Sequence, residues 1–240
     1  MIILGKTSGM TKSVVLFSGG IDSTTALYWA LAKGPSVHAL SFDYGQRHRV
    51  EIRMARKLVR KLGIPQTIFK LDLKQVGGSA LTDSSIEVPR YNNLSQIKHG
   101  PPATYQPFRN GLLLALTAAW GEPRGFTEIV CGFNIIDSPD YPDTRPVFVK
   151  AMEKAINAGT RTAFGRPPMK ISTPLIGMKK SAIIRLGTSL HADYAYSISC
   201  YAGEEIPCRS CSACLLRERA FAEAGFEDPL ISRLKKEGRL

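Results

Sequence analysis

At 240 residues the chain fits one large domain, or one domain with a small appendage. Its 44% hydrophobic and 22% charged residues are an ordinary globular balance with ample material for a core. No apolar run approaches the ~20 residues of a membrane helix. The opening Met1-Ile2-Ile3-Leu4 is too short for a signal-peptide core of roughly 7–15 apolar residues, so a cytoplasmic protein with no membrane partner is expected. There are 32 Lys+Arg against 20 Asp+Glu, a net charge of +12, which attracts nucleotides and other anions, nucleic acid included. The basic residues near one helix (Arg53, Arg56, Lys57, Arg60) and at the C-terminus (Arg233, Lys235, Lys236) are not interleaved with aromatics, as a single-strand binder would want. A solvated face that favours ATP explains them without nucleic acid, although a direct RNA or DNA site stays open.

In chain order, the apolar run 13–17 suits a strand buried on both faces. A Gly-rich turn follows, then a helix over 23–33, with Ala26, Leu27, Ala30 and Leu31 on one side and Gly34-Pro35 as its stop. A second strand covers 36–42. A second helix covers 50–62, where Val50, Met54, Leu58 and Leu62 recur at i+4 and Gly63 ends the run. A third strand covers 66–71. This βαβαβ rhythm predicts an α/β fold, a doubly wound parallel sheet with right-handed crossovers. Ligands of such sheets bind beyond the carboxyl ends of the strands, where the Gly-rich turn and Asp43-Tyr44-Gly45-Gln46-Arg47-His48 both fall. Residues 72–108 have weak periodicity and read as a long functional or mobile loop. Residues 111–120 are apolar nearly all round, which predicts a buried helix. A strand at 128–131 opens into a polar stretch, 132–145, carrying Asp137, Asp140 and Asp143. A helix at 148–158, a strand at 170–173 and a helix at 179–186 complete the expected layout. We divide the chain into an extension, 1–12, an α/β domain, 13–190, and a cysteine-bearing region with a tail helix, 191–240.

Ser18-Gly19-Gly20-Ile21-Asp22-Ser23 lies between the first strand and its helix. Two glycines let the main chain approach an anion and adopt positive φ, and the helix start presents unpaired N–H groups and a positive dipole end. Ser18 and Ser23 add hydroxyl donors. Asp22 would repel bare phosphate, so Mg²⁺ or an N-capping role suits it better. The spacing is neither that of Walker A nor that of a dinucleotide fingerprint.

Four of the five cysteines fall at Cys200, Cys208, Cys211 and Cys214. In a cytosolic chain such a cluster argues for metal rather than disulfides. Four thiolates satisfy tetrahedral zinc and close its shell, so one structural Zn²⁺ is expected. A Cys-x-x-Cys redox pair and an iron–sulfur cluster are the rivals. Cys131 stands alone on a strand and reads as a small core residue.

Ser18-Gly19-Gly20-x-Asp22-Ser23 resembles the signature of the PP-loop ATP pyrophosphatases, whose fold is that of the adenine nucleotide alpha hydrolases. The resemblance implies attack at the α-phosphate of ATP and adenylation of an acyl or amide oxygen. Over roughly 12–228 the chain is similar to the 7-cyano-7-deazaguanine synthase family. The matching segments are Phe17 to Thr25, Phe42 to His48, Ser79-Ala80-Leu81-Thr82, Arg109-Asn110, Tyr141-Pro142-Asp143 with Arg145, Thr173-Pro174-Leu175, Ser199-Cys200-Tyr201 and the three later cysteines with Leu216-Arg217.

That resemblance implies a C–N ligase of queuosine biosynthesis acting on 7-carboxy-7-deazaguanine, ammonia and ATP with Mg²⁺, through adenylated acid and amide intermediates, and a homodimer. It places ATP on Phe17, Ser18, Gly19, Gly20, Ile21, Asp22, Ser23, Thr24, Thr25, Ala26 and Leu27. It gives catalytic roles to Asp22, Ser23, Arg109 and Lys180, and the base pocket to Asp137, Asp143 and Arg145. His48 could shuttle protons or be a hydrogen-bonded structural residue. The chain departs from the family pattern at Ser138-Pro139-Asp140, Thr144, Ala182 and Arg209, the last standing where a glycine is usual. A PP-loop paralogue that adenylates a different carboxylate or a tRNA base is the alternative, and a nucleic-acid-binding zinc protein is a more distant one.

Overall fold

The computed structural model describes residues 11–34, 36–97, 100–136 and 140–240. Five parallel strands form one sheet: β1 (Ser13–Leu16), β2 (Val37–Asp43), β3 (Gln66–Lys70), β4 (Glu128–Val130) and β5 (Lys170–Ser172), in the order β3-β2-β1-β4-β5. Val14 and Val15 are both fully buried, as a central strand covered on both faces demands. The order runs outward both ways from β1, so the crevice between β1 and β4 is the topological switch point.

On one face pack α1 (Ile21–Lys33), α2 (Val50–Lys61), α5 (Lys180–Ser189) and α6 (Ser212–Ala224), around Leu27, Leu58, Ile183, Ile184 and Phe221. On the other lie α3 (Arg109–Gly121) and α4 (Pro146–Ala158), around Leu114, Ile129 and Ile156. A final helix, α7 (Pro229–Lys236), packs Leu230 and Leu234 against Val50, Met54 and Ile198. The i+4 series of α2 faces inward, and Arg53, Arg56, Lys57, Arg60 and Lys61 are exposed, so this basic stripe is a solvated face.

One expectation needs correction. The helix over 111–120 is not buried all round: Leu114, Thr117 and Ala118 are buried, but Leu112 is 37% exposed and Ala115 and Ala119 also face outward. Apolar composition shows that a face avoids water, not whether this chain covers it. Residues 72–108, read as a functional or mobile loop, are tied down at several of their described positions and supply Leu81, Leu94 and Thr104 to the cavity described below. Ala80 N–H donates to Ala103 O at 2.7 Å, Arg47 donates to the carbonyls of Asp83 and Ile86 at 2.6 and 3.0 Å, and Tyr91 N–H donates to Ser210 O at 2.7 Å. The segment is a wall tied to α2 on one side and to the cysteine region on the other.

Candidate active site and cysteine cluster

A cavity of about 610 Å³ opens at the carboxyl edge of the sheet, over the switch point. Its floor is the turn between β1 and α1. Gly19 has φ of 96°, and a Cβ there would sit 3.0 Å from Ala55 Cβ and 3.1 Å from Glu51 O, so both conformation and space require glycine. Gly132, beyond β4, passes so close to α1 that a Cβ would stand 2.7 Å from the Asp22 carbonyl carbon. Ser23 Oγ accepts from Gly19 N–H at 3.0 Å and donates to Gly20 O at 3.1 Å, with Ser18 Oγ 3.1 Å away. Those bonds fix the turn, and the first N–H groups of α1 are left without intrahelical partners.

Asp22 Oδ2 accepts from Lys180 Nζ at 2.5 Å, which joins the start of α1 to the start of α5, while Asp22 Oδ1 is buried with no hydrogen-bond partner. Phe17, Ser18, Gly20, Ile21, Asp22, Ser23, Arg109 and Lys180 all line the cavity. Thr24, Thr25, Ala26 and Leu27 are fully buried beneath it and belong to the packing of α1. Thr25 shares a hydrogen bond of 2.6 Å with Tyr194.

Opposite the turn stands a group of aromatic and amide side chains. Arg109 donates to Tyr44 Oη at 3.2 Å and lies over its ring at 5.7 Å. Gln46, 3% exposed, spends its amide on Tyr44 N–H and Phe42 O, so it holds the strand exit in shape. Tyr141 shares a 3.1 Å hydrogen bond with Thr104. Burial raises the pKa of Tyr44 and pushes that of Tyr201 well above the usual phenol value, so both are neutral hydroxyls at physiological pH.

Of the residues expected in a base pocket, Asp143 and Arg145 are not among the cavity lining. Asp143, 4% exposed, accepts Asn110 N–H at 3.0 Å and so caps α3; it does not line the cavity. Arg145 is exposed at the N-cap of α4. Asp137 lies outside the described residues. Sequence reasoning passed over Glu51, Tyr141 and Tyr201 as site residues. Glu51 carried one signal, an acidic residue at i+3 from His48 in the first turn of α2.

Cys200, Cys208, Cys211 and Cys214 bring four sulfurs within 4.8 Å of one another. A tetrahedral zinc with Zn–S of ~2.3 Å sets its sulfurs about 3.8 Å apart, and Cys208 Sγ lies 3.9 Å from Cys214 Sγ. Cys208 N–H points to Cys200 Sγ at 3.4 Å and Cys211 N–H to Cys208 Sγ at 3.3 Å, donors that suit thiolates. The cluster could therefore hold a metal ion, and it supports the cavity through its neighbours. Ile198 N–H donates to Gly19 O at 3.1 Å, and the Tyr201 ring lies 5.9 Å from that of His48. Arg217, 3% exposed, binds Asp228 through two hydrogen bonds of 2.5 and 2.7 Å and Ser197 O at 2.9 Å, which locks α6 to this segment. Cys131 is fully buried beyond β4, and burial pushes its thiol pKa up, as a core residue requires.

The 7-cyano-7-deazaguanine synthase of Thermoplasma acidophilum is 47% identical over 91% of this chain and 91% of its own. That of Nostoc punctiforme is 42% identical over 92% of this chain and 99% of its own, and that of Anaeromyxobacter dehalogenans is 43% identical over 93% and 96%. The family model described as "Queuosine biosynthesis protein QueC" matches residues 12–225, and with these relatives it shows that the chain belongs to the QueC family.

Proposed function

We propose that the protein converts 7-carboxy-7-deazaguanine, ammonia and ATP into 7-cyano-7-deazaguanine, through an adenylated acid and then an adenylated amide. One juxtaposition carries the reading. A glycine turn with its Asp22–Lys180 pair faces Arg109 and two neutral phenols across a single cavity. The turn and the start of α1 would hold the phosphates, and Lys180 would neutralise charge that builds on them. Arg109 would grip the acid, since a guanidinium forks onto a carboxylate, with Tyr44 and Tyr201 as hydroxyl donors. Mg²⁺ accompanying ATP would be held by Asp22, whose Oδ1 is buried without a partner. That ion supplies charge neutralisation at the phosphates.

The cysteine cluster would hold one structural zinc, because four thiolates close the tetrahedral shell. Phe108, Leu112 and Val147, which are 52%, 37% and 73% exposed, lie at the adjoining starts of α3 and α4, where Phe108 and Phe148 rings meet at 5.9 Å. This apolar face supports a homodimer. None of the described helices is long and apolar enough to cross a membrane, which suits the proposed cytoplasmic location.

Mass spectrometry of a reaction containing 7-carboxy-7-deazaguanine, ammonium, Mg²⁺ and ATP tests the reading. The acid mass should disappear as nitrile and AMP form. Liberation of ADP alone, or pyrophosphate release only with some other acid, would overturn it.

A further inference from the structure

Both nitrogen-forming steps need a proton acceptor that the phosphate turn and Arg109 do not supply. Ammonia that displaces AMP must shed a proton, and the adenylated amide must lose its remaining N–H as the nitrile forms. His48 and Glu51 line the same cavity. His48 is 7% exposed, and its Nε2 lies 3.3 Å from Glu51 Oε2. The Glu51 carboxylate beside Nε2 favours the proton on that nitrogen, which leaves the lone pair on Nδ1. That Nδ1 is buried and has no hydrogen-bond partner, whereas a structural histidine normally satisfies both nitrogens. The pair also stands beside the phosphate turn: Glu51 Oε1 lies 3.3 Å from where a Cβ on Gly20 would be. Asp22 is paired with Lys180, and burial keeps Tyr44 and Tyr201 protonated.

We propose that His48 Nδ1 is the proton acceptor of both steps and that Glu51 is its positioning residue. The inference rests on the function proposed above. In the first step the N–C bond forms, the C–O bond to AMP breaks with its electron pair leaving on AMP, and Nδ1 takes one N–H proton to give the neutral amide. In the second, O-adenylation of the amide releases one N–H proton to solvent and leaves a neutral imidate; the electron pair of its remaining N–H completes the C≡N bond, the C–O bond breaks to release AMP, and that proton goes to Nδ1. Between steps the imidazolium returns its proton to solvent. This is the logic of a base oriented by a carboxylate, applied to a nitrogen nucleophile.

Two assays on the same protein separate the steps: acid-dependent exchange of pyrophosphate into ATP reads adenylation alone, and nitrile yield reads the whole sequence. His48→Gln should keep exchange within about threefold of wild type and lower nitrile formation by roughly 10²–10⁴-fold. Glu51→Gln should also keep exchange and lower nitrile formation by about tenfold, with Glu51→Asp recovering part of it. Should His48→Gln fail to fold, His48→Ala with added imidazole decides the matter: restored nitrile formation supports the assignment and none overturns it. Nitrile formation by His48→Gln near the wild-type rate, or loss of exchange together with nitrile, also overturns it. Absence of acid-dependent exchange in the wild-type enzyme would instead count against the proposed function.

Discussion

The two ends of the sheet treat buried polar groups in opposite ways. At the opening of β4, Glu128 is 4% exposed, yet both of its oxygens are engaged. Ser13 Oγ donates at 2.6 Å, Ser172 Oγ at 2.5 Å and Lys33 Nζ at 3.4 Å. At the carboxyl edge the pattern reverses. The described buried side-chain atoms without a partner are Asp22 Oδ1, Thr24 Oγ1, His48 Nδ1 and Asp143 Oδ1, and all of them belong to residues at or against the starts of helices that rise around the cavity. An unmatched buried polar atom costs about 1–3 kcal/mol. Of the residues that hold these open atoms, Asp22 and His48 line the cavity, while Thr24 and Asp143 lie outside its lining.

The largest effects should come from the open end. Asp22→Ala is expected to lower nitrile formation by at least ~10²-fold, while the thermal midpoint of the holoprotein changes little. The substitution removes a buried oxygen that nothing in the chain satisfies, and this offsets the lost pairing with Lys180. Lys180→Ala should lower turnover to a similar extent. Steady-state rates beside thermal unfolding and metal content check both variants. A fully active Asp22→Ala enzyme would break the comparison at its centre.

How far the sequence foretold this division depends on whether the relevant contacts are local. Ser18 to Ser23 was legible because turn, glycines and helix start are contiguous, and one short segment carries the whole geometry. The cysteines were legible because four thiols at knuckle spacing have few other uses. The opposite wall of the cavity was legible only in part: Arg109 and the Tyr44 segment were expected near the ligand edge, but Tyr141 and Tyr201 come from separate segments that only the fold brings beside them. The place of Asp143 was not legible for a related reason. An aspartate in a polar stretch can face a ligand or cap a helix, and the choice turned on where α3 begins, 33 residues away. The outward face of α3 was misjudged because composition does not distinguish an apolar face buried within the chain from one left exposed.

The closed end sets an intermediate effect, with a pH signature. Burial alone would raise the Glu128 pKa, but the hydrogen bonds from Ser13 and Ser172, with Lys33 nearby, outweigh it and hold the value below the ordinary 4.5. A carboxyl depressed on folding contributes stability that is complete above its unfolded pKa and is lost as pH falls through the folded one. Glu128→Gln should therefore destabilise the protein by about 1–3 kcal/mol at pH 7. The gap from wild type should close below pH 4.5, while the rate per folded molecule stays unchanged. Denaturant titrations at pH 7 and at pH 4 or lower check this, and a gap that widens in acid would refute the assignment of Glu128 to stability.

The smallest effect concerns Arg209, which follows Cys208 within the cysteine cluster. Its φ is 57°, in the left-handed region, and its side chain is exposed. An L-residue there carries roughly 1–2 kcal/mol of backbone strain, part of which glycine returns through its greater unfolded-state entropy of about 0.5–1 kcal/mol. Arg209→Gly should stabilise the metal-bound protein by about 0.5–1 kcal/mol, a rise of roughly 1–4 °C in the unfolding midpoint for a chain of this size, with nitrile formation unaltered. The gain tests whether the cluster's shape comes from the metal and its thiolates alone. If Arg209→Gly lowered the midpoint, the exposed guanidinium would have to contribute more than the strain of its own backbone, and the knuckle could not be treated as independent of the basic surface around it.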